Sequence, residues 1–416
     1  MTPRRSTLAL RALALTQCVW LAVGCGSSSS SVPSGSGTVT NTVSVQVNSG
    51  PPSVSTLNIL YASVTICEPG TSNCQTIDDV QVDTGSSGLR LLSSAVNISL
   101  PLAAAPGGGT LAECTQFSNS STWGTVRTAD VKLGGETASS LPIQVIGDPA
   151  FATVPTACTN GGFPSQQDQA SLGANGIIGV GNYIADCGTA CELTGSQNPG
   201  AYWSCASASS CTVTALSSSQ QVQNPVAFFS TDNNGVVITL PAVGGTVAPV
   251  LSGTMYFGIG TQSNNGMGSA TVYTFDGNGY MGTQFNGKSL PYSFIDSGSS
   301  GYAFPDSSIQ VCSDYQMSFY CPNPSPVNLS GVITGANGAS SAAIPFSVGN
   351  ADQLFNQYPT YAVFPTVCSP ALVTDATSPN GPNSFDWGLS FFYGRTVITA
   401  LEQHNTPGGP GPYVAF

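Results

Sequence analysis

The sequence predicts an all-β chain built from two similar halves, with only short helical pieces. Runs rich in Val, Thr, Ile and Tyr recur from about residue 40 onward, and 48 Gly and 29 Pro break them into strand lengths. No helical periodicity lasts more than a few turns. One five-residue pattern occurs twice, as Asp83-Thr84-Gly85-Ser86-Ser87 and, 213 residues later, as Asp296-Ser297-Gly298-Ser299-Ser300. A chain this rich in Ser and Gly would show two such copies by chance about once in ten thousand.

Strands are expected at residues 40–47, 57–65, 124–133, 141–146, 235–240, 254–259, 270–275 and 396–401. Helices are expected at 305–311, where Pro305, Asp306 and Ser307 favour a start, and around 352–355. Each repeated phrase follows an apolar lead-in, Val80-Gln81-Val82 or Phe294-Ile295, that would bury its Asp at a strand end. A second echo supports duplication. Gly176, in Gly176-Ile177-Ile178-Gly179, lies 93 residues after Asp83, and Gly388, in Trp387-Gly388-Leu389, lies 92 after Asp296. Glycine in an apolar strand suits a place where another backbone crosses closely. The expected division is residues 55–262 for the first lobe and 263–416 for the second.

The start of the chain resembles a bacterial secretory signal. Arg4, Arg5 and Arg11 precede an apolar stretch ending in Leu21-Ala22-Val23-Gly24-Cys25. Residues 1–24 are expected to be removed and Cys25 lipidated, with 25–54 as a Ser/Gly-rich tether. That places the protein in the cell envelope, as an outer-membrane lipoprotein that meets the membrane only through this anchor. Beyond residue 25, twenty acids face five bases, so the mature part carries fifteen excess negative charges. Such a surface repels phosphates, which excludes nucleic acid as a partner. The chain is expected to be a monomer.

Export makes disulfides the default for the cysteines. Eleven remain after Cys18 and Cys25, an odd number that leaves one thiol unpaired. Short spacings point to Cys67–Cys74, Cys187–Cys191, Cys205–Cys211, and either Cys312–Cys321 or Cys321–Cys368.

Two carboxylates held close together cannot both ionise readily, so one keeps a proton across the acidic range. The ionised member can act as a general base on water while the other polarises a carbonyl oxygen. Within each phrase, Gly85 and Gly298 permit a tight turn and close approach. The hydroxyls of Thr84 and Ser297 can cross-link the turns, and those of Ser86 and Ser299 can hold the carboxylates. An isolated Asp-Ser/Thr-Gly is most often a surface turn; the second copy and the apolar lead-ins argue against that here.

The paired phrases and their landmarks resemble the pepsin-like aspartic proteases. Gly176-Ile177-Ile178-Gly179, residues 251–258, and Trp387 through Val397 with Tyr413-Val414-Ala415-Phe416 resemble that family's conserved strands in the same order. The resemblance spans about residues 55–416. It implies two β-barrel-like lobes with short helices, Asp83 and Asp296 facing each other on the floor of the cleft, and hydrolysis of a protein or peptide substrate without cofactor or metal. Two positions depart from the family. Phe117 stands where the flap usually carries Tyr, keeping an apolar wall without the phenol. Arg90 stands where a supporting Trp is usual, as a cation able to depress the dyad's apparent pKa values or receive an acidic substrate group. Both are candidate substrate-binding residues.

A single histidine, His404, leaves no multi-histidine zinc site. Asp232-Asn233-Asn234-Gly235 and Asp276-Gly277-Asn278-Gly279 are short of acids for calcium and read as hairpin turns. Glycoside hydrolysis also uses two carboxylates but has no use for the repeated Ser/Thr-Gly context. The competing readings are a non-catalytic envelope protein that binds a partner in the cleft and a structural, disulfide-stapled surface β-protein.

Overall fold

The computed structural model describes residues 41–159, 164–313, 319–370 and 381–416. In the first half the strands are β1 (Thr42–Val47), β2 (Leu60–Cys67), β3 (Cys74–Asp83), β4 (Ser87–Leu92), β5 (Thr110–Gln116), β6 (Ser121–Leu133), β7 (Glu136–Ile146), β8 (Gly176–Val180), β9 (Tyr202–Ser207), β10 (Ser210–Val213), β11 (Gly235–Leu240) and β12 (Leu251–Phe257). The second half adds β13 (Val272–Thr274), β14 (Met281–Phe285), β15 (Lys288–Ile295), β16 (Tyr302–Ala303), β17 (Val327–Thr334), β18 (Ser341–Val348), β19 (Cys368–Ser369), β20 (Asp386–Trp387), β21 (Arg395–Ala400), β22 (Asn405–Thr406), β23 (Gly409–Pro410) and β24 (Tyr413–Ala415). Two short α-helices, α1 (Gln169–Leu172) and α2 (Ala351–Gln357), complete the set.

Fifteen strands form one continuous sheet in the order β10-β9-β5-β6-β7-β4-β8-β3-β2-β1-β12-β11-β21-β24-β13. Seven more follow the order β18-β17-β14-β15-β20-β16-β19. The second half therefore has its own sheet, yet returns β13, β21 and β24 to the first. This exchange ties the two halves together.

Period-2 patterning sets which faces are buried. Along β18, Ile344, Phe346 and Val348 point inward, with Ala343, Pro345 and Ser347 between them more exposed. Strand β4 is buried along its whole length because β7 and β8 flank it. The second half's core is aromatic. Phe385 stacks on Trp387 at 4.0 Å and on Phe304 at 5.0 Å, and the Trp387 indole N–H donates to Thr283 Oγ1 at 3.0 Å.

Two sequence expectations are corrected here. Residues 42–47 fall within both an expected strand and the expected tether, and they are strand: Val45 and Val47 are fully buried as β1 runs antiparallel to β12 from Thr42↔Tyr256 to Val47↔Leu251. The expected helix at 305–311 is a turn. There the Asp306 carboxylate accepts from the Ser308 N–H and hydroxyl at 2.9 and 2.6 Å, and the Tyr320 hydroxyl accepts from the Asp306 N–H at 3.0 Å. The Asp that favoured a helix start closes a turn instead.

Disulfides join Cys67–Cys74, Cys187–Cys191, Cys205–Cys211 and Cys312–Cys321. The fifth, Cys114–Cys158, spans 44 residues and could not be read from short spacings. It fastens β5 to the segment that follows β7. Cys368 is the free cysteine among the described residues, buried, with its thiol pushed up by burial.

Candidate active site

The register of two parallel strand pairs delivers the repeated phrases to one place. Asp83 ends β3, which runs parallel to β8 with Asp83 opposite Gly179. In the second half β15 runs parallel to β20 with Phe294 opposite Asp386 and Ile295 opposite Trp387, so Asp296 follows on opposite Gly388. The equivalent glycines are therefore Gly179 and Gly388; the equivalence of Gly176 with Gly388 inferred from sequence spacing is three residues out of register. Both glycines pass under a crossing backbone. A Cβ on Gly179 would come within 2.6 Å of the Ser87 nitrogen, and one on Gly388 within 2.1 Å of the Gly301 oxygen. Only glycine fits such crossings.

The two turns grip each other through their hydroxyls. Thr84 N–H donates to Ser297 Oγ at 3.1 Å, Ser297 N–H donates to Thr84 Oγ1 at 2.9 Å, and Ser297 Oγ donates to the Val82 carbonyl at 2.8 Å. Each Asp is then held by its own turn. Asp83 accepts from Gly85 N–H at 2.7 Å and Ser86 Oγ at 2.5 Å. Asp296 accepts from Gly298 N–H at 2.6 Å and Ser299 Oγ at 3.1 Å. A Cβ on Gly298 would lie 2.6 Å from Asp83 Oδ1 and 3.0 Å from Asp296 Oδ1, and one on Gly85 would lie 2.6 Å from Asp296 Cγ. The two glycines thus create the space in which the two carboxyls meet.

These carboxyls stand in a cleft of about 570 Å³ that Gln81, Phe117, Ile177, Phe294, Phe319 and Asp386 help to line. Burial, then the neighbouring charges of Asp83 and Asp386, hold Asp296 well above the usual carboxylate range. Asp386, fully buried, is pushed up to about 8 by burial and by Asp83, against the Ser299 hydrogen bond.

The β5–β6 hairpin forms the flap. Phe117 sits at its tip, its N–H donating to the Ser120 carbonyl at 2.8 Å. Its half-buried ring packs against the cluster of Tyr61, Leu92, Ile146, Leu172, Ala174 and Ile177. The expectation for Arg90 is corrected. Its side chain borders the cleft but is 0% exposed, and its charge is already matched. The guanidinium donates to Glu113 Oε1 at 2.7 Å, Asp186 Oδ2 at 2.9 Å, the Ser87 carbonyl at 2.7 Å and Thr115 Oγ1 at 2.8 Å. No charge is left over for an acidic substrate group. Because Glu113 and Thr115 belong to β5, Arg90 instead bolts the flap to β4.

Sequence reasoning missed Glu113, Asp186 and Asp386. Each is a lone acid whose partners lie far along the chain, so no local pattern marks it. Cys25 lies outside the described residues. His404 contacts the Glu402 carbonyl at 2.8 Å and does not border the cleft. The loop at Asp276 is a turn whose carboxylate accepts from the N–H groups of Asn278 and Tyr280, but not the expected hairpin turn, because β13 pairs with β24 and β14 with β15 and β17.

The buried acids make stability depend on pH. Burial and the Glu113 charge raise Asp186 well above its ordinary value, in the same direction as Asp296 and Asp386. A carboxyl with a raised folded pKa contributes stability fully below its unfolded value, about 4, and loses it as pH climbs through the folded value. For Asp386 that window closes at about 8. Asp148 acts oppositely. Burial favours its neutral form, but hydrogen bonds from Thr125, Arg127 and the Ala150 amide outweigh this and hold its pKa down, so its contribution disappears only in acid. The melting temperature, followed by calorimetry, should fall from about pH 4 to about pH 8; a rise over that range would contradict a protonated cluster.

Residues 37–416 match the family model described as a protein of unknown function, DUF3443. The chain belongs to that family. No curated protein matches its sequence. Among solved structures, the aspartic proteinase from Irpex lacteus is similar over 90% of this chain and 96% of its own, with a TM-score of 0.50 and 14% sequence identity. This DUF3443 chain therefore has the two-lobed, mostly β, pepsin-like fold, with the cleft residues described above carried on it.

Proposed function

We propose that this chain is an aspartic endopeptidase that hydrolyses peptide bonds with a water activated between Asp83 and Asp296. The observation that carries this reading is the pair itself: two carboxyls from repeated turns, brought together on the floor of an open cleft. Asp296 holds the shared proton and gives it to the substrate carbonyl oxygen, while Asp83 takes a proton from the water. The water oxygen bonds to the carbonyl carbon. The C–N bond then breaks as a proton passes to the leaving amine.

Phe117 closes over the substrate as an apolar wall, and Cys25 would anchor the monomer in the outer membrane. A second reading, a cleft that binds a partner without cutting it, draws support from Phe117, whose ring has no hydroxyl to hydrogen-bond a substrate. Digestion of a peptide library at about pH 3.5 and pH 7 separates the two. Cleavage confined to acid pH and abolished by a pepstatin-type inhibitor is expected. Binding of that inhibitor with no cleavage at either pH would favour the second reading.

A further inference from the structure

The halves of the cleft floor differ at one pair of equivalent positions. Ile177 stands opposite Gln81 on β8, two residues before Gly179, and Asp386 stands opposite Phe294 on β20, two residues before Gly388. Both border the cleft. The first half is apolar there; the second has a carboxyl that is 0% exposed. Its Oδ2 lies 2.6 Å from Ser299 Oγ, its Oδ1 has no hydrogen-bond partner, and the same Ser299 Oγ lies 3.1 Å from Asp296 Oδ2.

Ser299 has one hydroxyl proton and two carboxyl neighbours. If both neighbours were ionised it could satisfy only one, and a buried, charged oxygen would remain without a hydroxyl donor. One arrangement gives both Ser299 contacts a donor and an acceptor and leaves only the uncharged Asp386 Oδ1 unpartnered: a neutral Asp386 donates to Ser299 Oγ, and Ser299 donates to Asp296 Oδ2. We propose that Asp386 is a positioning residue that, through Ser299, holds the Asp296 carboxyl in its reactive orientation. This rests on the peptidase reading above.

Neutral Asp386 agrees with its raised pKa and with its surroundings. Asp83 and Asp296 approach from the two turns. Tyr302, beside it on β16, and Cys368 on β19 are held neutral by burial, and the Arg395 guanidinium on β21 donates to the Phe391 carbonyl at 2.7 Å and lies over the Phe391 ring. When Asp386 ionises, the Ser299 proton turns to it across the shorter contact, and Asp296 Oδ2 loses its hydroxyl donor while Oδ1 keeps the Gly298 N–H.

The test compares Asp386→Leu with Asp386→Asn in the full chain. The Leu variant should lose about 10–100-fold in kcat with KM little changed, as expected for a misoriented reacting group. Asn, whose amide N–H can donate to Ser299 but cannot ionise, should recover at least about tenfold of that loss. It should also move the alkaline limb of the pH–rate profile. Equal kcat in both variants, or a Leu variant with wild-type kcat and pH profile, overturns the proposal. A second readout needs no activity. In carboxyl NMR of Asp-labelled protein, Asp386→Asn should remove one signal titrating far above the ordinary range, and Asp386→Leu should shift the Asp296 titration. If those shifts appear in a protein that cleaves no peptide, the positioning chain stands and the peptidase reading falls. If neither shift appears, the proposal falls whatever the activity.

Discussion

Replacing either Asp83 or Asp296 with Asn should lower kcat/KM for peptide cleavage at acid pH by about a thousandfold or more. Residues that act as one unit lose nearly the whole effect when a single member is removed. Asn keeps the carboxyl's shape and one acceptor oxygen, so the Gly85 and Gly298 N–H groups retain their partners at 2.7 and 2.6 Å. What disappears is the capacity to share and pass a proton. Folding should survive, because the two turns are joined by Thr84 and Ser297 and not by the carboxyls. Circular dichroism and urea unfolding should place each variant within about 1 kcal/mol of the parent, the range expected where no cavity or unpaired charge is created. A variant that keeps more than about a tenth of the activity would sink the mechanism. One that unfolds at room temperature would show instead that the pair supports the fold.

The dyad was legible because everything that shapes it lies within five consecutive residues. The Gly amide that holds each Asp is two positions on and the Ser hydroxyl three, so the letters encode the geometry directly. The strands at 235–240 and 396–401 were legible for a similar reason, since buried runs of Val and Ile bounded by Gly mark them without tertiary knowledge. What was not legible depended on register. Ser299 meets Asp386 across 87 residues, and Arg90 meets Asp186 across 96. Nothing in a lone Asp before a Trp, or an Arg between leucines, says which strand will lie beside it. Matching Gly176 to Gly388 failed for the same cause: spacing counts residues, whereas register counts hydrogen bonds, and the two halves have loops of different length. The flap shows both sides. Phe117 could be placed in the hairpin through the family resemblance, but the network that holds its hairpin could not.

Arg90→Met should destabilise the protein by about 3–5 kcal/mol at pH 7, the cost of removing one partner from a buried ion pair. Met fills much of the same volume, so the loss is mainly electrostatic. Glu113 and Asp186, at 0% and 8% side-chain exposure, would keep each other's company without their cation. Tyr202, which donates to Asp186 Oδ1 at 2.6 Å, offers a hydrogen bond but no charge. The penalty should shrink in acid, because a proton can then replace the missing cation. Urea unfolding of parent and variant should therefore show a larger gap at pH 7 than at about pH 4. The triple change Arg90→Met, Glu113→Gln, Asp186→Asn should recover much of the gap, since a site without buried charge needs no counter-ion. A single variant within about 1 kcal/mol of the parent at pH 7 would mean that water reaches the cluster and screens it. The activity of the same variant tests the other half of the argument. On the proposed peptidase reading, Arg90 would act on the substrate only through the flap, by way of Glu113 and Thr115 on the strand leading to Phe117. A looser flap weakens substrate binding before it alters the chemistry of the dyad, so KM should rise with kcat nearly unchanged. A fall in kcat at constant KM would place Arg90 with the reacting groups instead.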